Sequence, residues 1–135
     1  MAKFVATDYS ITVGGTDFSN SLAAVTLDVS ADEQETTAFG DTFRSRIGGL
    51  KDASVALDFH QDFGASSVDA TLFPLIGGTA EIVIKPTSGS ISATNPTYTF
   101  TALVTQYTPF ASNVGDLATL SVTWPVTGAV ARATA

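Results

Sequence analysis

Apolar and polar residues alternate with a period of two along most of this chain, and that pattern restricts the fold more than any other feature. The segment 53–61 is the clearest case, because Leu57 and Phe59 are apolar whereas Asp58 and His60 beside them are polar. Successive side chains of a β-strand point to opposite faces, so such a segment buries one face and exposes the other. Comparable stretches lie at 9–13, 16–18, 22–30, 79–85, 97–108 and 117–124. We therefore predict six or seven strands.

Glycine and proline mark the ends of several of these strands. Gly14 and Gly15 join two of them, and because glycine adopts the positive φ angles of a tight turn, we predict a β-hairpin there. Pro86, Pro109 and Pro125 follow three other stretches, and proline has no amide hydrogen to donate to a neighbouring strand. We therefore expect those three strands to end at the prolines.

One segment, 66–76, has a helical period instead. Ser66 and Asp69 stand at the spacing of a capping box, and the apolar residues that follow recur every three or four positions. Pro74 and then Gly77 would end such a helix. We predict a short helix packed against a sheet; the alternative is an irregular apolar loop.

Other segments show no regular period. Segment 31–50 is long for a loop within a compact domain, and loops of that length are usually functional. Segment 86–96 is a polar loop, and we expect the tail 128–135 to be flexible or to become ordered on assembly. The sequence thus predicts a mainly β fold, either a β-sandwich or a partly rolled barrel. It would have six or seven strands, one short flanking α-helix at about 66–76 and a long loop at 31–50.

The composition favours one domain that contacts other proteins. With 135 residues the chain fits a single domain, 1–135. Only 14% of the residues are charged, against about 25% in average proteins, so much of the surface must consist of Thr, Ser, Ala and Gly. Such a surface suits repeated contact between copies. The net charge of −7 argues against a nucleic-acid-binding protein, which would carry a basic stripe.

The sequence offers little for catalysis or cofactor binding. It has no cysteine and one histidine, His60, which has no nucleophile elbow near it. The acidic residues Asp32, Glu33 and Glu35 lack the spacing of an EF-hand, so a solvated loop is favoured over a calcium site. No apolar stretch approaches the roughly 18 residues of a membrane span. We expect no enzyme activity, no cofactor, no metal and no membrane contact.

The segments 25–33, 36–41, 47–54, 69–75 and 115–125 share one strand-and-loop pattern. Together they resemble the major tail (tail tube) protein of long-tailed phages that infect actinobacteria. The resemblance implies a β-sandwich or partly rolled barrel with one flanking helix. It also implies that six subunits form a ring and that rings stack into a hollow tube.

The same resemblance implies where the protein acts and with what. The chain would be a structural virion protein of the phage tail, assembled in the host cytoplasm. Its partners would be copies of itself in homo-hexameric rings and other phage tail proteins at the tube ends. The phage genome would pass through the channel without specific binding to the protein.

The residues suggest which surfaces would make these contacts. We expect the long loop to reach the neighbouring ring, with its apolar side chains buried there and its arginines paired with carboxylates of an acidic partner. A solvated mobile loop is the alternative. The proposed contact residues are Phe39, Asp41, Phe43, Arg44, Arg46, Ile47 and Lys51. Asp28, Asp58 and Glu81, on polar strand faces, are the candidate lining of the channel, where negative charge would repel DNA phosphates.

Two other functions fit the residues less well. A head-decoration protein or another phage virion β-domain would share the fold class and bind a capsid lattice. A carbohydrate-binding module would need an aromatic platform for a sugar, and Tyr98, Tyr107 and Trp124 are the candidates for it.

Overall fold

The computed structural model describes residues 3–135, which form seven β-strands, one short α-helix and two 3₁₀ turns. The strands are β1 (Ser10–Val13), β2 (Thr16–Asp17), β3 (Leu22–Glu35), β4 (Arg46–His60), β5 (Thr79–Lys85), β6 (Thr97–Leu103) and β7 (Thr119–Ala133). The helix α1 is Val68–Leu72, and the 3₁₀ turns are Ser19–Ser21 and Phe73–Leu75. The mainly β fold predicted from the sequence is confirmed.

All strand pairs are antiparallel, and they form one sheet in the order β2-β1-β5-β6-β7-β4-β3. The long strand β7 has two partners. Its part up to Pro125 pairs with β4, and its part from Val126 onward pairs with β6. We call β1, β2, β5, β6 and the end of β7 the first half-sheet, and β3, β4 and the start of β7 the second half-sheet.

The two half-sheets fold onto each other around a shared apolar core. Ile82 and Phe100 of the first half-sheet join Leu57 of the second in one buried cluster. The rings of Phe18 and Phe59 also meet edge to face, with centroids 5.9 Å apart. Alternate residues of every central strand point into this core, which is why the period of two is so clear in the sequence. The sheet is therefore rolled onto itself, and each half-sheet keeps one outer face.

The end of the chain differs from the prediction. We expected Pro125 to end its strand and 128–135 to be a tail that is flexible or becomes ordered on assembly, but β7 continues to Ala133 and pairs with β6 of the same chain. Pro125 is the last residue paired with β4, and Val126 is the first paired with β6. Pro125, which has no amide hydrogen to donate, thus lies where β7 changes its partner from β4 to β6. Such a break in the pairing tolerates proline.

The predicted long loop at 31–50 is wrong for half of its length, since 31–35 and 46–50 are strand. Strand β3 extends to Glu35 and β4 begins at Arg46, so only 36–45 connects them. Every residue from 31 to 51 is exposed. With neither face buried, these strands have no apolar–polar alternation that a sequence pattern could reveal. We call this projecting hairpin, residues 31–51, the arm.

The predicted helix is confirmed, although it is shorter than 66–76. It covers Val68–Leu72 and continues as the 3₁₀ turn Phe73–Leu75. The expected capping box does not form. Ser66 lies before the helix with φ of 58°, and the carboxylate of Asp69 accepts a hydrogen bond from the Tyr107 hydroxyl instead.

Candidate functional site

The arm presents large apolar side chains to solvent. Phe39 and Phe43 near its tip expose 109% and 87% of their reference surface, and Ile47 and Leu50 along β4 are also largely exposed. Monomeric proteins rarely leave so many large apolar groups uncovered together. The arm is therefore the main candidate for a contact surface.

Local hydrogen bonds give the tip of the arm a definite shape. The Asp41 carboxylate accepts a hydrogen bond from the Ala38 amide at 2.9 Å, and the Thr37 hydroxyl accepts one from the Ser45 amide at 2.9 Å. The amide of Thr36 donates to the Ser45 carbonyl at 2.8 Å. Asp41 thus orders the turn. The apolar side chains project from a structured hairpin.

The arginines of the arm contact carboxylates of the same arm. Nη1 of Arg44 lies 3.4 Å from Oε1 of Glu35, and Nε of Arg46 forms a salt bridge with the Glu33 carboxylate on the neighbouring strand. All four side chains are largely exposed, and exposed ion pairs of this kind contribute only about 0–1 kcal/mol. A stronger carboxylate partner on another subunit could therefore replace them. That contact, like the rest of the predicted inter-ring set, stays a prediction.

The three candidate lining residues do not share one face. Asp28 pairs in register with Ser54, and Asp58 pairs with Ser121, which places both carboxylates on the outer face of the second half-sheet. Glu81 lies on the outer face of the first half-sheet, on the other side of the core. If one outer face lines a channel, the lining therefore contains either Asp28 and Asp58 or Glu81, but not all three.

The two outer faces differ in charge. Outside the arm, the outer face of the second half-sheet carries Asp28, Asp52 and Asp58 and no lysine or arginine. We call it the acidic face. The outer face of the first half-sheet, the threonine face, carries Asp17, Glu81 and one cation, and otherwise mainly hydroxyl groups. Its threonines are Thr12, Thr79, Thr97, Thr99, Thr101 and Thr127.

The sheet has one long free edge. Strand β3 is the last in the order and pairs only with β4, so the backbone groups on its other side have no strand partner within residues 3–135. The opposite edge is the two-residue strand β2. The stretch 22–31 of β3 contains one charge, Asp28, and no proline. Segment 6–9 lies beside residues 22–25, and the rest of this edge can pair with a strand of another chain.

The aromatic platform predicted for a carbohydrate-binding module, from Tyr98, Tyr107 and Trp124, does not form. Trp124 is fully buried, and its indole Nε1 donates to the carbonyl of Gln106 at 2.9 Å. Tyr107 is buried as well, and Tyr98 is half-buried in a 490 Å³ groove between β3 and β5. Stacking on a sugar needs exposed ring faces, so these residues cannot form the expected site.

Tyr107 instead holds a polar network that ties the helix to the sheet. Its hydroxyl donates to Asp69 at 2.7 Å and accepts from Gln61 Nε2 at 3.0 Å. Gln61 also donates to the carbonyl of Pro109 at 2.9 Å. Burial, reinforced by the Asp69 carboxylate, raises the pKa of Tyr107 to about 12. No sequence pattern pairs these residues, which are far apart along the chain.

Replacing Tyr107 with Phe should destabilise the domain without changing its surface. The variant leaves Gln61 and Asp69 without this partner, which costs about 1–2 kcal/mol and lowers Tm by roughly 3–6 °C. Calorimetry measures the change. The conservative variant Tyr9→Phe, at an exposed tyrosine, serves as the control and should keep the wild-type Tm.

The raised pKa of Tyr107 adds a pH dependence. Because the unfolded phenol has a pKa of 10.0 and the folded one about 12, the protonated form is favoured in the fold. The stability this provides is complete below pH 10 and is lost as the pH rises through about 12. The alkaline decrease in Tm should be smaller in Tyr107→Phe; an identical decrease in both proteins would contradict the network.

Chemistry-bearing residues are not clustered in the described part of the chain. No group of three or more His, Cys, Asp or Glu residues that could hold a metal ion occurs within 3–135. His60 is half-buried at the end of β4, opposite Thr119, and its Nδ1 has no hydrogen-bond partner there. No helix within 3–135 is long and apolar enough to cross a membrane.

Comparison with known proteins shows the fold. No protein-family model matches the sequence, and no curated protein matches it. Among solved structures, the chain is similar to a chain from the virion of a native gene transfer agent particle, with a TM-score of 0.73 and 16% identity. The match covers 93% of this chain and 95% of that chain. The likeness therefore extends over nearly the whole of both chains.

Proposed function

We propose that this protein is a structural virion protein, the self-assembling subunit of a phage tail tube. The observation that carries the proposal is the arm, a structured hairpin that projects from a rolled β domain and exposes two phenylalanines at its tip. Burial of such groups stabilises contacts between subunits. The similarity of the fold to a chain of a gene transfer agent virion supports the same role.

Two surfaces serve two kinds of contact in this proposal. The arm reaches along the tube to the next ring, while the free edge of β3 pairs with a neighbour inside the ring. Six copies close a homo-hexameric ring, and rings stack into the tube. Other phage tail proteins bind the open surfaces at the two ends of the tube. The protein acts without catalysis, in the virion tail, after assembly in the host cytoplasm.

The acidic face lines the channel in this proposal. Outside the arm it carries three carboxylates and no cation, whereas the threonine face has two carboxylates and a lysine. Repulsion of DNA phosphates acts over a Debye length of about 8 Å at physiological salt, so a carboxylate lining keeps the genome from adhering. DNA then passes without specific binding.

Electron microscopy of the purified protein tests the proposal. We expect six-fold rings and tubes of stacked rings. The alternative function, head decoration, predicts monomers or trimers that bind capsids and form no tubes. Purified capsids incubated with the protein provide the comparison, and trimers seated on a capsid lattice would overturn the tail tube assignment.

Reversing charge on the acidic face should make tubes hold DNA. In Asp28→Lys/Asp58→Lys the lining gains cations, so linear double-stranded DNA should bind inside the tube and be protected from nuclease at low salt. The matched control is Glu81→Lys on the threonine face. Protection by the control and not by the double variant would place the threonine face in the channel.

A further inference from the structure

We propose that the arm tip of one subunit docks on a specific apolar surface at the opposite end of a subunit in the next ring. We call this surface the base patch and define it by Phe63, Phe110, Val114 and Leu117. The inference rests on the proposed function and names the partner surface of the arm, a second copy of this chain.

The base patch is an exposed cluster at one place on the molecule. The rings of Phe63 and Phe110 stack with centroids 5.6 Å apart and an interplanar angle of 27°, yet the two side chains are 56% and 85% exposed. The Gln61 amide donates to the Ala118 carbonyl at 2.9 Å, which holds the segment containing Leu117 beside the segment containing Phe63. Large apolar side chains that are clustered and exposed, as these two phenylalanines are, indicate a surface that contacts a partner.

The base patch and the arm tip lie at opposite ends of the molecule. Strand β4 begins in the arm at Arg46 and ends at His60, and Phe63 follows directly. Fifteen extended residues span roughly 45 Å at about 3.3 Å per residue. Strand β7 begins opposite His60, which brings the segment 109–118 to the same end. Two different apolar surfaces at opposite ends give a head-to-tail contact, and such contacts repeat without closing.

The charges of the two surfaces are complementary. The exposed carboxylates Asp62 and Asp116 flank the base patch, and no lysine or arginine occurs between residues 86 and 131. The arm tip brings Arg44, whose side chain is 72% exposed and held only by the 3.4 Å contact to Glu35. Docking of the rings would therefore place a cation beside carboxylates that make no salt bridge within residues 3–135.

The area of one contact is small, which fits a partner that is itself a subunit of an assembled ring. An aromatic side chain buries about 150–250 Å², so the four phenylalanines of one contact bury roughly 600–1,000 Å² in total. A stable pair of proteins buries about 1,600 Å². One arm on one patch is therefore weak. Six such contacts between two rings act together and hold them firmly.

Disulfide cross-linking tests the contact directly, because the natural chain has no cysteine. In Thr42→Cys/Ala111→Cys both cysteines are exposed and stand beside Phe43 and Phe110, which remain in place. On oxidation of assembled tubes we expect a ladder of covalent oligomers, since a disulfide needs Cβ atoms about 4 Å apart. Thr42→Cys/Ser90→Cys, with the second cysteine at the arm end of the molecule, should give no ladder.

A second variant separates the contact from the proposed function. Phe63→Ser/Phe110→Ser should form rings that do not stack, and Phe73→Ser, at another exposed phenylalanine, should form normal tubes. If the wild-type protein forms tubes but the cysteine pair gives no ladder, or the double serine variant still forms tubes, the base patch is wrong and the tail tube proposal stands. If the wild type forms no tubes, the proposed function itself fails.

Discussion

A chain in which Asn-Gly replaces residues 32–50 is expected to fold normally and to form no tubes. In the structure Ala31 and Lys51 are directly opposite each other, so a two-residue turn can join them. All the removed residues are exposed, and none belongs to the core. The free energy of unfolding should therefore change little, whereas every contact that the arm makes with the next ring is lost.

Circular dichroism and electron microscopy measure the two effects of this deletion separately. We expect a wild-type β spectrum, a Tm within a few degrees of the wild type and isolated rings or monomers on the grid. Phe39→Ser/Phe43→Ser should give the same assembly defect with a smaller change to the chain, since these two side chains form the apolar tip. Tubes of normal length from the deletion variant would remove the arm from the assembly mechanism.

The second large effect concerns the core. Leu57→Asp is expected to prevent folding altogether, because Leu57 is fully buried in the central strand β4, between Val25 of β3 and Val122 of β7. A buried carboxylate without a partner costs several kcal/mol or more, and domains are typically stable by only about 5–15 kcal/mol. The variant should accumulate as insoluble protein without a cooperative unfolding transition.

Thr123→Asp is the matched control for that substitution. Thr123 lies on the neighbouring strand β7, next to Ala56 in register, but its side chain is on the exposed outer face. It should keep the wild-type solubility and a Tm close to that of the wild type. Cooperative unfolding of Leu57→Asp at the wild-type temperature would mean that this face of β4 is not the core.

Sequence reasoning identified strands in which apolar and polar residues alternate clearly, and it missed strands that lack this alternation. The strand at Thr79–Lys85 was predicted with the bounds that the structure has, and the hairpin at Gly14 and Gly15 is confirmed. The arm strands and the end of β7 were not predicted as strands. In the arm both faces are exposed, and beyond Pro125 the residues of β7 are mostly small, so only pairing with a neighbouring strand defines them.

The candidate contact surfaces, like the strands, could be predicted from the sequence only in part. The sequence identified the arm as a candidate contact surface because it combines phenylalanines with two arginines. Its hairpin structure was not predicted. Strand parity placed Asp28, Asp58 and Glu81 on polar faces. It could not show that the sheet folds at β7 and turns the face of Glu81 the other way. The base patch joins Phe63 to Phe110, which only the tertiary fold brings together.

Sedimentation velocity of the wild-type protein over a wide range of concentrations tests the central claim most directly, namely that this chain functions by binding its own copies. We expect the 13.9 kDa monomer to give way to rings and then to much larger particles as the concentration rises. The arm-deleted variant should stop before the large particles appear. A single monomeric species at every concentration, in both proteins alike, would contradict the account.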